Sequence, residues 1–231
     1  MKVRFLLPIL FLLGSLIPAG AQDKVQANLG VDLVSSYVWR GQYLGKVALQ
    51  PTLAVGWKGL ELSAWGSAGL ADSLGEIDLT LSYQIGGLKL SVIDYWDTTS
   101  GVRYFYYKPK DTGHAFEGVV AYDFGPVIVS WQTFFAGGDY QEADGRRAFS
   151  SYFEVSAPFR LGTLEWMASA GFVPWASDLY DTKGFSLNCL SLKATKNFSI
   201  TEKFTLPVFA QLTANPTKGN FYFVAGITIG I

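Results

Sequence analysis

The sequence predicts an all-β fold, a transmembrane antiparallel up-and-down β-barrel of about twelve strands, and three observations predict it. Residues Glu76 to Ile85 place Ile77, Leu79, Leu81, Tyr83 and Ile85 on one face of an extended chain and Glu76, Asp78, Thr80, Ser82 and Gln84 on the other. The same period of two recurs along the chain and closes it, with Phe221, Phe223, Ala225, Ile227, Ile229 and Ile231 on one side. The connections alternate between tight glycine turns and long polar loops, as an up-and-down barrel requires.

An export signal precedes the pattern. Lys2 and Arg4 stand before an apolar run from Phe5 to Ile17, interrupted by Pro8, Gly14 and Ser15, and Ala19-Gly20-Ala21 offers a small-residue cleavage site. Residues 1–21 are expected to be a cleaved signal peptide, and residues 22–231 a single barrel domain. A membrane-spanning helix is the competing reading, but the run is short for a span. No cysteine lies near the cleavage site, which argues against a lipid-anchored lipoprotein. The single cysteine, Cys189, excludes an intramolecular disulfide and is expected to be a small buried or lipid-facing residue.

Without residues 1–21 the chain carries 16 basic and 19 acidic residues, net −3 with His neutral, a balance that gives no indication of nucleic-acid binding. Charged residues make up 16% of the sequence and aromatics also 16%, a mixture that suits an outer wall facing lipid better than one facing water. A lipocalin-like barrel or a sandwich is the soluble alternative, and it would call for more surface charge or disulfides.

Strands are predicted near 25–40, 46–58, 59–70, 75–86, 88–97, 113–124, 126–137, 147–159, 162–174, 185–197, 203–213 and 219–231. Lys58-Gly59, Gly86-Gly87, Phe124-Gly125-Pro126 and Arg160-Leu161-Gly162 read as tight turns. Asp97 to Thr112, Gly138 to Arg146 and Trp175 to Gly184 read as long polar loops, and Asn197 to Glu202 as a longer turn. Both termini fall on the short-turn side. This arrangement predicts periplasmic termini and turns, and extracellular loops.

Strand parity assigns the faces. Leu49, Pro51, Leu53, Val55 and Trp57, then Phe149, Phe153, Val155 and Phe159, then Phe204, Leu206, Val208, Ala210 and Leu212 form the expected lipid face. The opposite parity collects Asp32, Arg40, Glu61, Glu76, Asp78, Lys89, Glu117, Asp123, Glu154, Glu165 and Lys193, with Gln50, Ser82, Gln132, Tyr152, Ser169 and Gln211. These are the candidate lumen-lining residues. Arg or Lys facing mid-bilayer costs about 2–4 kcal/mol, so concentrating charge on one parity is what a membrane barrel demands. Arg40, at the outer end of the first predicted strand, is expected to pair with a carboxylate of a neighbouring strand such as Asp32 or Glu61.

Trp39, Trp57, Tyr95, Trp96, Tyr122, Phe124, Phe159, Trp175, Phe198 and Phe221 lie near predicted strand ends, where interfacial girdles form. The segment from Val102 to Pro109 places Tyr104, Phe105, Tyr106 and Tyr107 beside Arg103 and Lys108. Three readings of it stand: a constriction folded into the mouth, a partner-binding loop, and a self-packed extracellular hairpin.

Catalysis finds few candidates. His114 is the only histidine, no serine shares its face two residues away, and it reads as an exposed structural residue. Glu76 and Asp78 are adjacent on the lumen face, an arrangement open to two-carboxylate chemistry but more usual in a pore's charge network. No His or Cys cluster has metal-ligand spacing and no glycine-rich phosphate loop joins a strand to a helix, so neither metal nor cofactor is expected.

Residues 35–41 (SSYVWRG), 48–51 (ALQP) and 59–67 (GLELSAWGS) resemble the opening of the TorF-type family of small Gram-negative outer-membrane porins. The resemblance implies an outer-membrane barrel and no catalytic residues. One departure is the terminal Ile231, where many such barrels end in Phe. The expected function is a narrow passive channel for small polar solutes or ions. Mild cation preference follows from eight acidic against three basic residues on the lumen parity. The alternative is a non-conducting barrel serving as a structural or interaction partner in the cell envelope. A third and weaker reading is a barrel enzyme acting on envelope lipids. Expected partners are outer-membrane lipid, the transported solutes or ions, the barrel-assembly machinery and an envelope protein.

Overall fold

The computed structural model describes residues 24–73, 75–141, 144–202 and 204–230. The expected signal peptide and Ile231 lie outside the described residues. Alternating segments become strands almost where parity places them: β1 (Gln26–Val34), β2 (Tyr37–Trp39), β3 (Gln42–Gly45), β4 (Ala48–Trp57), β5 (Leu60–Gly69), β6 (Gly75–Ile85) and β7 (Leu88–Asp97). The series continues with β8 (His114–Asp123), β9 (Ile128–Gly137), β10 (Ser151–Leu161), β11 (Leu164–Val173), β12 (Ser186–Ser199), β13 (Thr205–Asn215) and β14 (Asn220–Gly230).

Twelve of these strands, β1 and β4 to β14, form one closed antiparallel barrel in which each strand pairs with its sequence neighbours in the wall, and β1 closes on β14 through Gly30↔Gly230 to Val34↔Gly226. Closure leaves no free strand edge in the wall. In β4 the alternation is complete: Ala48, Gln50, Thr52, Ala54 and Gly56 are buried, while Leu49, Pro51, Leu53, Val55 and Trp57 are exposed. The wall is therefore apolar outside and mixed inside. Lys58 and Gly59 both take positive φ, as the two central residues of a type I′ hairpin must.

The first predicted strand, 25–40, divides. β1 stops at Val34 because Ser35 and Ser36 turn the chain inward while still satisfying the projecting end of β14. Ser35 donates its N–H to Ala225 O at 2.8 Å and accepts the Ala225 N–H on its hydroxyl at 2.9 Å. Ser36 donates its hydroxyl to Phe223 O at 3.3 Å. The freed segment folds back as the hairpin β2–β3, paired only to itself, and enters the barrel from the long-loop end.

Apolar packing lies inside, around that hairpin. Val34, Ala48, Phe209 and Val224 form one buried cluster against Val38, and Tyr152, Val173, Tyr180 and Cys189 form a second against Trp39. Cys189 is thus buried. Gly226 makes room for the first cluster: a Cβ there would stand 2.4 Å from Phe209 Cζ and 2.9 Å from Leu33 O. Gly226→Ala should destabilise the barrel by about 1–3 kcal/mol through overpacking. A lowered denaturation midpoint of the purified barrel would read it, with Gly184→Ala, whose Cβ meets nothing within 4 Å, as the unchanged reference.

Candidate functional site in the barrel lumen

The tip of the inward hairpin is Arg40-Gly41, both at positive φ (48° and 77°), which makes the type I′ turn between Trp39 and Gln42. A non-glycine residue in that region costs about 1–2 kcal/mol. Gly41 is required for a second reason, since a Cβ would lie 1.9 Å from Asn188 O. Asn215 Nδ2 donates to Gly41 O at 3.1 Å, fixing the tip against the β12–β13 side of the wall.

Arg40 reaches across to β8. Its guanidinium donates to both oxygens of Glu117, at 2.6 and 2.8 Å, and to Tyr180 Oη at 2.5 Å. Tyr95 Oη donates to Glu117 Oε2 at 2.8 Å. The guanidinium also lies over the rings of Trp39 and Tyr152, with centroids 4.4 and 4.8 Å from Cζ. Arg40, Glu117, Tyr152 and Tyr180 are all buried. The partner is therefore Glu117, five strands from β1 around the ring, and neither Asp32 nor Glu61. The expectation of a neighbouring-strand partner fails because the hairpin carries Arg40 off the wall and over the lumen.

Two loops complete the closure. Asp139 accepts from the backbone N–H and hydroxyl of Ser150 at 2.9 and 2.6 Å, and Ser150 Oγ meets Ser177 Oγ at 2.7 Å. This chain positions Tyr180, which stacks on Trp39 and on Tyr152 with centroids 5.8 Å apart in each case. Lys218 pairs with Asp181 next door and holds its carboxyl below the usual carboxylate range. That contact is intact at neutral pH and is lost as pH falls through the lowered value.

Beneath the hairpin a cavity of about 300 Å³ runs toward Ser63 and Met167 in the short-turn half of the wall. Of the candidate lumen residues, Asp32, Arg40, Asp78, Glu154 and Lys193 border it. Asp32 accepts from Thr228 Oγ1 at 2.6 Å, and Glu154 from Ser156 Oγ at 2.9 Å. Glu76 hydrogen-bonds Tyr37 of the hairpin. Glu61 stands 4.0 Å from Lys89, and Glu165 accepts from Arg160 at 2.7 Å, both nearer the short turns. Asp123 instead caps the β8–β9 turn, accepting the Gly125 N–H at 2.7 Å.

The loop of residues 98–113 does not enter the mouth. It folds down the outside of β7 and β8, on the face of Asp94 and Trp96, opposite to the cavity-lining Ile93 and Tyr95. Tyr107 and Tyr104 cover His114 with ring centroids 4.4 and 4.9 Å away, and Tyr104 O contacts His114 Nε2. His114 Nδ1 meets Asp94 Oδ1 at 2.7 Å. His114 is thus buried, against the expectation of an exposed residue. Tyr106 and Phe105 remain exposed, and Lys108 pairs with Asp111 at 3.3 Å. Arg103 accepts the Tyr106 N–H on its backbone oxygen at 3.0 Å.

Fold and site together define a closed twelve-stranded barrel, apolar outside and mixed inside, whose loop-end mouth is filled by its own hairpin. No protein-family model and no curated protein sequence matches the chain. Among solved structures, a NanC porin in a rhombohedral crystal form aligns with a TM-score of 0.47 and 9% identity over 89% of this chain and 98% of that one. A structure from a study of in-meso crystallisation of membrane proteins aligns with a TM-score of 0.47 and 7% identity over 89% and 83%. Likeness at this level carries no functional conclusion for this chain.

Removing one partner of a buried, hydrogen-bonded ion pair costs about 3–5 kcal/mol, whereas replacing both with apolar groups can be nearly neutral. Arg40→Met alone should accelerate amide exchange across residues 37–45 by on the order of a hundredfold or more. Arg40→Met with Glu117→Met should recover much of that protection, read by hydrogen-exchange mass spectrometry.

Proposed function

We propose that this protein is an outer-membrane barrel forming a narrow passive channel for small polar solutes or ions, with mild cation preference and no enzymatic role. The observation that carries the reading is the sidedness of the wall. Leu53, Leu62, Leu81, Val92, Val120 and Leu212 are exposed on its outer face, while Glu61, Asp78, Lys89 and Glu117, on the opposite parity of β5 to β8, are buried inside. An apolar belt around the whole circumference far exceeds what a soluble monomer leaves in water, and a bilayer covers it. The closed wall supports the same reading, because every strand pairs laterally within the chain.

The lumen supports passage of polar species. Serine, threonine and glutamine side chains surround the cavity, and the acidic excess on the inward parity favours cations over anions. Residues 35–41, 48–51 and 59–67 support placement in the TorF-type porin family, and assembly in the outer membrane follows from that placement.

The Arg40–Glu117 contact favours a second reading, a non-conducting barrel that serves the envelope as a structural or interaction partner. It ties the hairpin across the mouth. Planar-bilayer recording under a salt gradient separates the two. The chain from residue 22 should give small discrete steps with a reversal potential on the cation side, and replacing residues 37–45 with a short glycine linker should raise the conductance several-fold. Silence from both proteins, each folded and heat-modifiable, would select the non-conducting reading.

A further inference from the structure

Four residues stand in one cross-strand row inside the barrel: Thr52 on β4, Trp65 on β5, Asp78 on β6 and Tyr95 on β7, each paired directly with the next. Direct partners of this kind hold their Cβ atoms about 4.5–5.5 Å apart, so Asp78 is flanked on both sides by aromatic side chains. Tyr37 of the hairpin covers the row from above, its ring centroid 5.6 Å from that of Trp65. All five residues border the same cavity.

Asp78 is only 8% exposed, yet its Oδ1 has no hydrogen-bond partner among the described residues. Thr52 Oγ1, in the same row, is also buried and unpartnered, as is Gln132 Oε1 on the cavity's far wall. The other carboxylates around the lumen have donors. Glu117 holds Arg40, Glu154 holds Ser156, and Asp32 holds Thr228. Asp78 is the carboxylate left over, with the Glu76 carboxyl two residues away on the same face of β6. A buried carboxylate oxygen with no donor calls for a positive partner.

We infer that the row Thr52–Trp65–Asp78–Tyr95, under Tyr37, is a binding site for a small organic ammonium ion within the lumen. The carboxylate supplies the counter-charge, and three π-bearing side chains favour a weakly hydrated organic cation over a strongly hydrated metal ion. The described residues contain no group of three or more His, Cys, Asp or Glu able to hold a metal. The cavity volume of about 300 Å³ accommodates a head group of a few heavy atoms. This site rests on the proposed cation-preferring lumen and names the class of cation that lumen would select.

The test is calorimetric titration of the full barrel, from residue 22, in detergent micelles with tetramethylammonium chloride at constant ionic strength. Sodium chloride and the neutral, similarly shaped tert-butanol serve as comparisons. Saturable binding of tetramethylammonium alone is expected, weakened about tenfold or more by Asp78→Asn and several-fold by Trp65→Leu, and unchanged by Asp144→Asn on an exposed loop. Absence of saturation, equal binding of sodium or tert-butanol, or affinity unchanged in Asp78→Asn would overturn the site. Should Asp78→Asn fail to fold, Trp65→Leu decides, since it leaves every charge in place: unchanged affinity would overturn the site. Binding in micelles needs no conduction. A barrel that conducts without binding sinks this site alone, and one that binds without conducting sinks the channel reading alone.

Discussion

A guanidinium at the centre of a barrel mouth is the constraint on which the rest of the lumen depends. Taking Arg40 out of water is costly, and its position is possible only because Glu117 accepts from it twice and Tyr180 accepts once. Those three bonds come from β8 and from the loop after β11, so they fix the tip of β2–β3 relative to both. The tip in turn sets Trp39 against both Tyr180 and the guanidinium, and Tyr37 over Trp65. The cavity has a ceiling because one charge is matched.

The wall around it obeys a simpler rule. With a side-chain period of two and no free edge, each strand has one face for the lumen and one for the outside, and register cannot slip by one residue without exchanging them. Close approach of large rings inside is then managed by glycine. Gly171 lies where a Cβ would collide with Tyr152, and Gly226 where it would collide with Phe209. Both are inward positions, and both rings belong to the clusters that grip the hairpin.

That rule explains what was legible in the sequence. Alternation identified the twelve wall strands, because parity is a local property. Where the reading failed, the deciding contact was distant. Alternation carried the first strand to residue 40, since Arg40-Gly41 is not one of the doublets that mark a two-residue hairpin turn. Choosing Glu117 over Asp32 or Glu61 required knowing that the segment leaves the wall. His114 read as exposed because nothing local shows that Tyr104 and Tyr107 fold back over it to bury its pairing with Asp94. The Thr52–Trp65–Asp78–Tyr95 row was hidden for the same reason: each member comes from a different strand, and only register aligns them.

Which forces hold the mouth closed is a question of magnitudes. The Arg40–Glu117 pair is short and bidentate, but desolvation offsets much of its attraction, so its net contribution is small despite the large cost of breaking it from one side. The positive φ at Arg40 subtracts about 1–2 kcal/mol more. Against these stand the stacking of Trp39, Tyr180 and Tyr152, each aromatic contact worth about 0.5–1.5 kcal/mol beyond area burial, and two cation–π contacts of about 0.5–2 kcal/mol each. Aromatic packing therefore supplies the net adhesion, and the ion pair supplies position. A hairpin held by rings alone could settle in several registers across a lumen this wide. Charge matching at a single carboxylate admits one of them, and that register leaves Asp78 facing the space below Tyr37.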